Sequence, residues 1–322
     1  MHKTTVRIPM PAPVFRLSEI FKQNNFQLYA VGGAVRDFVH GHGPYQPKDV
    51  DLCTDAQPQQ VGEMLDRAKI RNFPKGESFG VWVAHINGED FEIATFREDM
   101  VSSDGRRPDE VKFVDLASDY KRRDMTMNAL YYAIPGNEDS NGEIIDFGEN
   151  GIGIEDAMQG RVRIIGDPFD RFGEDRLRIL RVPRFHSQHS MLHIATILDD
   201  RTREAMAYYG DLRKPVKRHN DGQMLQPVSG ERIQQEFLRG IQKARFLPHY
   251  LETYYQLGLL PSVFPELKVC DRIQALSLVS RNPVVILAHL LRHNQPSFVR
   301  KVLTACNWPN EITDEVQFIL NV

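Results

Sequence analysis

Short apolar stretches interrupted by polar positions dominate the first 150 residues of the chain. Their length and alternation predict β-strands, and the stretches are FQLYAVGG, KDVDLCT, GVWVAHI, DFEIATF and EVKFVDL. Two segments among them, AVRDFVHG and PQQVGEMLDRAK, repeat apolar residues at helical spacing instead. The tetrapeptide NGED between two of the strand-like stretches predicts a hairpin turn. This part of the chain is therefore predicted to be a mixed α/β domain.

From about residue 167 onward the apolar positions recur at helical spacing. The helical segments are DRFGEDRLRILRV, TREAMAYY, GERIQQEFLRGIQK and HYLETYYQLGLL. A basic, polar stretch, YYGDLRKPVKRHNDGQMLQP, separates two of them and predicts a loop. We therefore expect an α+β arrangement in which an α/β head is followed by a helical region.

The composition narrows the class of protein. The 322 residues are 41% hydrophobic and 26% charged, which is typical of a soluble protein. No apolar run approaches the roughly 18 residues that a membrane span needs, and MHKTTVRIPMPAPVF lacks an apolar signal core. Cys53, Cys270 and Cys306 are far apart and odd in number, so they predict neither a disulfide framework nor a zinc site. We expect no membrane partner and a reducing, cytoplasmic location.

The net charge of −3 hides an uneven distribution along the chain. Acidic residues outnumber basic ones over residues 1–150, whereas basic residues outnumber acidic ones over residues 151–250. An acidic front joined to a basic middle is suited to a metal-dependent site beside an anionic substrate, although charge runs are also typical of solvated surfaces.

A glycine pair, Gly32 and Gly33, follows a predicted strand and precedes a helix that we expect to begin at Ala34. Glycine adopts unusual backbone angles and lets a ligand approach the main chain closely. The N–H groups of the helix start favour phosphate, and Arg36 in the first turn would add a charged donor. The spacing matches neither a Walker loop nor a dinucleotide fingerprint.

Two acids, Asp49 and Asp51, flank Val50 in the next predicted strand. Side chains at positions i and i+2 of a strand share a face and lie about 6–7 Å apart along it. Two carboxylates so placed repel each other unless a cation joins them, and a divalent metal there would activate an attacking hydroxyl and stabilise a leaving pyrophosphate. Alone, D-x-D is also typical of solvated loop acids; the preceding GG-x-x-R-D favours the functional interpretation.

The combination of GGAVRD and KDVD resembles the class II tRNA nucleotidyltransferase and bacterial poly(A) polymerase family, a branch of the polymerase-β nucleotidyltransferase superfamily. In that family the positions of Asp49 and Asp51 hold catalytic Mg²⁺. The positions of Gly32, Gly33 and Arg36 meet the incoming nucleotide.

The resemblance extends over roughly residues 25–270. It implies a polymerase-β-like head with a mixed sheet, followed by an all-helical neck and body. The implied domains are a catalytic head over 1–155, a neck with a nucleotide-templating helix over 156–240, and a tRNA-binding body with a short tail over 241–322.

The segment RRDMTMNAL resembles the family block RRDFTINAL. Arg123 can reach phosphate and Asp124 can accept a hydrogen bond from a ribose hydroxyl, while Asn128 shares their face if the segment is helical. A carboxylate that binds the ribose selects against deoxynucleotides, because a deoxy sugar leaves it without a partner. A simple surface pair between Arg123 and Asp124 is the alternative.

Asp175 and Arg178 in GEDRLRILRVPRF match the family's EDxxR motif. Asp175 can accept from the amino group of cytosine or adenine, and Arg178 can donate to the adjacent ring nitrogen. Uracil and guanine present the reverse pattern, so each mismatch leaves buried groups unpaired at a cost of roughly 1–3 kcal/mol. By themselves these residues also suit a surface salt bridge between positions i and i+3.

Arg181 and Arg184 match further arginines that face the nucleotide in relatives. Pro183 departs from the family pattern RILRAVRF, and we expect it to kink or end the helix, which weakens the expectation for Arg184. SGERIQQEF resembles a later family block, S-x-E-R-x-x-x-E, and is predicted to brace the templating helix.

Two further positions stay open at this point. Glu92 lies on a strand predicted to neighbour the acid pair, where it suits a third metal-facing carboxylate or an ordinary strand acid equally well. The polar loop from Ser102 to Pro108 corresponds in CCA-adding relatives to a loop that helps to switch from C to A addition.

The resemblance implies Mg²⁺-dependent addition of C, C and A from CTP and ATP to the 3′ end of tRNA, with contacts to the acceptor arm. A poly(A) polymerase, a CC-only or A-only enzyme, and an inactive RNA-binding relative are the alternatives. The segment KGESFGVWVAHI differs from the GRRFRLxHV-like stretch typical of poly(A) polymerases, which favours CCA addition. The sequence carries no signal for an oligomeric state.

Overall fold

The computed structural model describes residues 1–41, 45, 47, 49–75, 80–99, 111–189, 198–270 and 281–322. The chain forms two compact units, Met1–Ile165 and Gly166–Val322. The first unit extends past the expected boundary at residue 155, and an isolated antiparallel bridge between Met125 and Ile164 ties the added segment to it. The finer division into neck and body stays a prediction.

The first unit combines strands with helices. Its elements are β1 (His2–Val6), α1 (Ala12–Gln23), β2 (Leu28–Val31), α2 (Gly33–His40), β3 (Asp51–Thr54), α3 (Pro58–Arg67), β4 (Arg71–Pro74), β5 (Val81–Ile86), β6 (Glu89–Thr95), β7 (Arg97–Asp99), β8 (Val111–Phe113), α4 (Leu116–Arg122), β9 (Tyr131–Ala133), β10 (Gly142–Asp146) and α5 (Ile152–Gln159). A short 3₁₀ turn covers Thr126–Asn128 and another covers Glu149–Gly151.

The main sheet is mixed, as predicted. Its strand order is β1-β10-β9-β2-β3-β6-β5-β4, and β3 pairs with β6 in parallel while the neighbouring pairs are antiparallel. The predicted strand EVKFVDL extends too far, because β8 covers Val111–Phe113 and Leu116 already begins α4. β8 pairs with β7 in a separate ribbon. The Asp115 carboxylate then accepts from the Ser118 amide and begins α4, since an N-cap of this kind satisfies an orphan helix donor.

Several local predictions are confirmed. The two helical segments of the head are α2 and α3, and the NGED turn joins β5 to β6. Asn87 and Gly88 both have positive φ, at 55° and 85°, which is the backbone of a two-residue hairpin turn that follows strand twist. Here the turn chemistry is readable from the sequence because only a few residue types adopt these angles.

A buried cluster on one face of the sheet lies beside the acid pair. It consists of Val31, Cys53, Phe96, Tyr131 and Ile145. Side chains alternate along a strand, so Asp51 lies on the same face of β3 as Cys53, two residues beyond it. Along this face of β3, the buried core therefore includes Cys53 and does not extend to the exposed Asp51.

The second unit is mainly helical. Its elements are α6 (Pro168–Glu174), α7 (Arg178–His189), α8 (Asp200–Tyr209), β11 (Val216–Lys217), β12 (Met224–Leu225), α9 (Gly230–Lys243), α10 (Leu247–Gln256), α11 (Leu260–Val263), α12 (Pro283–Leu291), α13 (Pro296–Ala305) and α14 (Asn310–Asn321). Within the ranges that the structure describes, we find no helix with the length and apolar character of a membrane span.

Three expectations for this unit are corrected. The segment around Asp175 is not one helix, because α6 ends at Glu174 and Asp175 is extended, with φ −147° and ψ 104°. Pro183 lies inside α7 and does not end it, because the helix continues to His189 with its buried apolar side packed against the rest of the unit. The predicted loop contains the small hairpin β11–β12, which the Arg218 amide closes by donating to the Gln223 carbonyl at 2.7 Å.

Candidate active site

The glycine turn lies against one of the two predicted metal-binding acids. β2 runs antiparallel to β3 with Val31 opposite Asp51, so the residue after Val31 reaches the start of β3. Gly32 has φ 74° and ψ −129°, a conformation that only glycine adopts readily. A Cβ placed on Gly32 would lie 3.4 Å from Asp51 Oδ2. The turn therefore borders the carboxylate with bare main chain.

Arg36 lies beside the same turn. Its amide donates to the Gly32 carbonyl at 3.0 Å, and a Cβ on Gly33 would lie 3.6 Å from its Nη2. The guanidinium is held between Asp37 Oδ1, 2.8 Å from Nε, and Asn128 Oδ1, 2.6 Å from Nη1. Because Arg36 and Asn128 are both 8% exposed, the geometry of this contact is well restrained. The structure thus brings together four of the predicted nucleotide-binding residues: Gly32, Gly33, Arg36 and Asn128.

The acid pair is arranged differently from the expected strand. β3 begins at Asp51, and Asp49 precedes it in a bend, so the two carboxylates do not share a strand face as predicted. Val50 between them is buried, which orders the chain at this point while leaving both acids exposed. Of the two acids, Asp51 is the one that borders the glycine turn.

Glu92 lies on β6, whose parallel pairing with β3 places Leu52 opposite Ile93. The neighbouring positions Asp51 and Glu92 therefore fall beside each other at this end of the sheet. The Glu92 carboxylate forms an ion pair with Lys75. This pairing favours the ordinary strand acid over the third metal-facing carboxylate.

The donor set at the glycine turn fits a divalent metal. Asp49 and Asp51 supply hard carboxylate oxygens, and Mg²⁺ is typically held by one or two carboxylates together with substrate phosphates and water. Across the described ranges, no cluster of three or more His, Cys, Asp or Glu residues suits a metal ion. Two protein carboxylates together with substrate oxygens match this preference of Mg²⁺.

Arg123 belongs to a buried charge network. Its Nε and Nη2 donate to Asp119 Oδ2 at 3.1 and 3.0 Å, and the Tyr131 hydroxyl donates to the same oxygen at 2.7 Å. Arg122 donates to the other carboxylate oxygen at 2.8 Å. Burial raises the pKa of Asp119, but the charges of Arg123 and Arg122 outweigh it and hold the pKa below its usual range. Asp119 therefore holds the Arg123 guanidinium in place, and 18% of the Arg123 side chain stays exposed.

Asp124 takes part in the local turn. Its Oδ1 accepts from the Met125 amide at 2.9 Å, and its carbonyl accepts from the Ile165 amide at 3.2 Å. Asn128 is the last residue of the 3₁₀ turn and is not part of an α-helix with Arg123 and Asp124, so the condition for a shared helical face is not met. The structure joins Asn128 to Arg36 instead.

In the second unit, Asp175 forms the turn between α6 and α7. Its Oδ1 accepts from the Leu177 amide at 3.1 Å, and its Oδ2 accepts from Arg232 Nη2 at 2.8 Å. The side chain is 25% exposed. The carboxylate is consequently held at both oxygens while a part of it stays accessible.

Arg178 begins α7 and has a different carboxylate partner. Its Nη1 lies 2.7 Å from Glu174 Oε2 and donates to the Arg171 carbonyl at 3.0 Å. Arg171 also donates to Glu174 Oε2, at 2.5 Å. The i,i+3 salt bridge between Asp175 and Arg178 is absent from the ion pairs of the described chain, since each is paired elsewhere. Acceptor and donor therefore lie three positions apart without neutralising each other.

The remaining two predicted arginines lie on α7. Arg181 stacks on Phe185, with its guanidinium carbon 5.5 Å from the ring centre. Arg184 Nε lies 2.5 Å from Glu236 Oε1 on α9, and both side chains are buried. Their mutual burial favours a structural role for Arg184, consistent with the predicted bracing by SGERIQQEF.

Sequence reasoning missed three groups that organise these sites. Asp119 and Tyr131 gave no motif signal, because their role depends on contact with Arg123. Arg176 is 4% exposed and donates to main-chain carbonyls of the segment before α9, including Lys214 at 2.8 Å. Nothing in the sequence indicated that Arg176 is buried, because the residues that pack around it are distant in sequence.

The loop from Ser102 to Pro108 lies outside the described residues. Within the basic stretch, Lys214 pairs with Asp211 and Arg218 with Asp221. Part of the positive charge of this stretch is therefore paired with acids of the same stretch.

Comparisons with known proteins bear on both units. Residues 28–163 match the family model of the poly A polymerase head domain. The chain is 31% identical over 312 residues to the CCA-adding enzyme of Lactobacillus helveticus, covering 92% of this chain and 67% of that protein. It is 33% identical over 283 residues to the mitochondrial CCA tRNA nucleotidyltransferase 1 of Danio rerio, covering 86% of this chain and 59% of that protein.

The structural comparison covers nearly the whole chain. The crystal structure of the Bacillus stearothermophilus CCA-adding enzyme in complex with CTP aligns with a TM-score of 0.70 and 28% identity, over 97% of this chain and 70% of that one. The matches thus extend from the head motifs through the second unit. The chain therefore belongs to the class II CCA-adding enzyme family.

Proposed function

We propose that the chain is a CCA-adding tRNA nucleotidyltransferase that adds C, C and A from CTP and ATP to the 3′ end of tRNA, without a nucleic-acid template and with release of pyrophosphate. The observation that carries the proposal is the Asp51 carboxylate bordered by the bare main chain of Gly32. That arrangement, with Arg36 oriented beside it, suits a triphosphate next to a metal-binding acid. The named relatives in zebrafish and Lactobacillus support the same activity.

The reaction is a displacement at the α-phosphorus. The 3′ oxygen of the tRNA forms the new phosphorus–oxygen bond, and the bond to pyrophosphate breaks. Mg²⁺ bound by Asp49 and Asp51 would lower the pKa of the 3′ hydroxyl and neutralise charge on the triphosphate. The main chain of Gly32 and Gly33 and the Arg36 guanidinium bind and orient the phosphates.

The sugar and the base are recognised by separate residues. Asp124 accepts from a ribose hydroxyl, and Arg123, fixed by Asp119, donates to phosphate. Asp175 accepts from the amino group of C or A while Arg178 donates to the ring nitrogen beside it. Because uracil and guanine reverse this pattern, the wrong base loses roughly 1–3 kcal/mol for each unpaired group.

A poly(A) polymerase is the second candidate. The matching family model carries the name of the poly A polymerase head domain, and the head chemistry of the two activities is the same. CC-only and A-only addition remain further variants because the motifs are shared. We also propose a reducing, cytoplasmic location, which suits the three buried cysteine thiols.

The test uses purified protein, Mg²⁺ and single labelled nucleotides. One tRNA ends at the discriminator base and a second ends in CC. Addition of three nucleotides ending in A supports the proposal, and a product that stops at CC or grows only from CC identifies a partial enzyme. Long A tracts would show poly(A) synthesis instead of CCA addition. The absence of any incorporation would indicate a binding protein without this activity.

Metal binding is tested without turnover. Titration with Mn²⁺ in the presence of CTP, followed by electron paramagnetic resonance, should show binding that Asp49→Asn and Asp51→Asn weaken by at least tenfold. Asp139→Asn serves as the control, since Asp139 is an exposed acid paired with Arg7 in the same unit. Equal Mn²⁺ binding by all these variants would contradict the assigned ligands.

A further inference from the structure

Arg232 is the residue of α9 that contacts the base-reading acid. Its Nη2 lies 2.8 Å from Asp175 Oδ2, across 57 positions of sequence. The side chain is 15% exposed, and its amide faces the Ser229 hydroxyl that caps the helix, at 3.4 Å. The guanidinium is thus attached to a capped helix start and restrained by its surroundings.

The Asp175 carboxylate receives one donor at each oxygen. Leu177 N–H binds Oδ1 and Arg232 binds Oδ2. Two donors on opposite oxygens fix the rotation of the carboxylate about its χ2 bond. A carboxylate oxygen has two acceptor sites, so each oxygen can still accept from a base amino group. The exposed quarter of the side chain is where a base can approach.

A second ion pair joins the same part of the fold without touching Asp175. Arg184 on α7 and Glu236 on α9 are both 5% exposed and lie 2.5 Å apart. Glu236 lies one turn along α9 from Arg232, so both pairs join α9 to the region around α7. If bracing were the only requirement, the two pairs would have equivalent effects.

We propose that Arg232 is a specificity-determining positioning residue, which holds the Asp175 carboxylate in the orientation that accepts from the amino groups of cytosine and adenine. This inference rests on the proposed function. Without Arg232 the carboxylate rotates toward other donors, and the correct amino group loses its advantage over the carbonyl of uracil or guanine. We expect the removal of Arg232 to reduce discrimination between correct and wrong bases more strongly than it reduces the stability of the fold.

The experiment compares kcat/KM for CTP and UTP on tRNA ending at the discriminator base, and for ATP and GTP on tRNA ending in CC. Arg232→Ala should lower both discrimination ratios roughly tenfold. Arg232→Lys should restore part of the ratio, because it keeps a cationic donor near Asp175. Glu236→Gln is the matched control on the same helix and should lower the melting temperature while leaving both ratios unchanged.

A double variant separates this inference from the proposed function. If Arg232 acts through Asp175, then Asp175→Ala and the Asp175→Ala/Arg232→Ala double variant should have the same ratios. Arg232→Gln supplies a variant of closer size if the alanine variant fails to fold. Ratios in the Arg232 variants that stay at the wild-type value, or that fall no further than in Glu236→Gln, would overturn the inference.

Each negative outcome removes a different assignment. No nucleotide addition by the wild-type protein would remove the proposed function and this inference with it. Wild-type discrimination that survives Asp175→Ala would remove the base-reading role of Asp175. Discrimination lost in Asp175→Ala but retained in Arg232→Ala would overturn only the role of Arg232.

Discussion

Arg36 Nη1 donates a 2.6 Å hydrogen bond to Asn128 Oδ1, although 92 positions separate the two residues. Asn128 reaches Arg36 from the 3₁₀ turn that follows α4, and Asp37 holds the guanidinium from another side. The direction in which Arg36 presents its charge is thus set by a neutral amide from a distant segment. Under the proposed function, Asn128 orients Arg36 beside the turn that is proposed to bind phosphate.

Replacing Asn128 by alanine should therefore weaken nucleotide binding. A hydrogen bond to a charged group contributes about 1.5–3 kcal/mol, so KM for CTP should rise roughly 10- to 100-fold with a smaller change in kcat. Steady-state kinetics on a tRNA acceptor checks this. Asn137→Ala, in the exposed turn before β10, is the control, and a lowered melting temperature with unchanged KM would contradict the prediction.

Replacing Gly32 by alanine should damage the site more than the fold. The φ of 74° costs a side chain about 1–3 kcal/mol in strain, and the new Cβ would face Asp51 Oδ2. We expect kcat/KM to fall at least tenfold. Gly88→Ala is the matched control, because Gly88 has φ 85° with no neighbour within 4 Å of the added Cβ. It should lower the melting temperature and leave kcat/KM unchanged; equal kinetic losses would count against the role of Gly32.

The buried Asp119 predicts a pH-dependent stability. Its pKa is held below the unfolded value of about 3.9, so its stabilisation is present above that pH and is lost as pH falls through the folded-state pKa. Asp119→Asn should lower the free energy of unfolding by about 3 kcal/mol at pH 7, as expected for a broken buried ion pair.

Urea unfolding at pH 7, 5 and below 4 checks this expectation. The difference between wild type and Asp119→Asn should be constant at the first two pH values and shrink below about pH 4. Asp139→Asn, which removes an exposed ion pair, should change the free energy by less than about 1 kcal/mol throughout. A difference that grows as the pH falls would contradict the assigned network.

The three thiols should be unreactive in the folded protein. All are buried, and burial raises the pKa of Cys53 and of Cys306, which lowers the thiolate fraction that reacts. A thiol-specific disulfide reagent should label none of them in the native state and all three in denaturant. Rapid native labelling of any one of them would show that its surroundings open far more often than this packing allows.

The correspondence between sequence and structure differs from one residue to the next. The hairpin at Asn87 and Gly88, a helix at the glycine pair and a strand that includes Asp51 follow from local signals. Pro183 and the break at Asp175 do not, because helical spacing alone does not register how a buried side of α7 is packed or where a turn is stabilised. Here packing and turn hydrogen bonds outweighed the local pattern.

The amino-acid order alone determined which side chains are available and which short segments bend, extend or coil, since these depend on neighbours a few positions away. It thereby placed the acids, the glycine turn and the EDxxR motif. Tertiary structure decided which side chains contact each other. Asn128 contacts Arg36, Asp119 contacts Arg123, and Asp175 contacts Arg232 instead of Arg178. These contacts join residues brought together by strand pairing, turn geometry and helix packing, and such pairings have no period that can be read along a single chain.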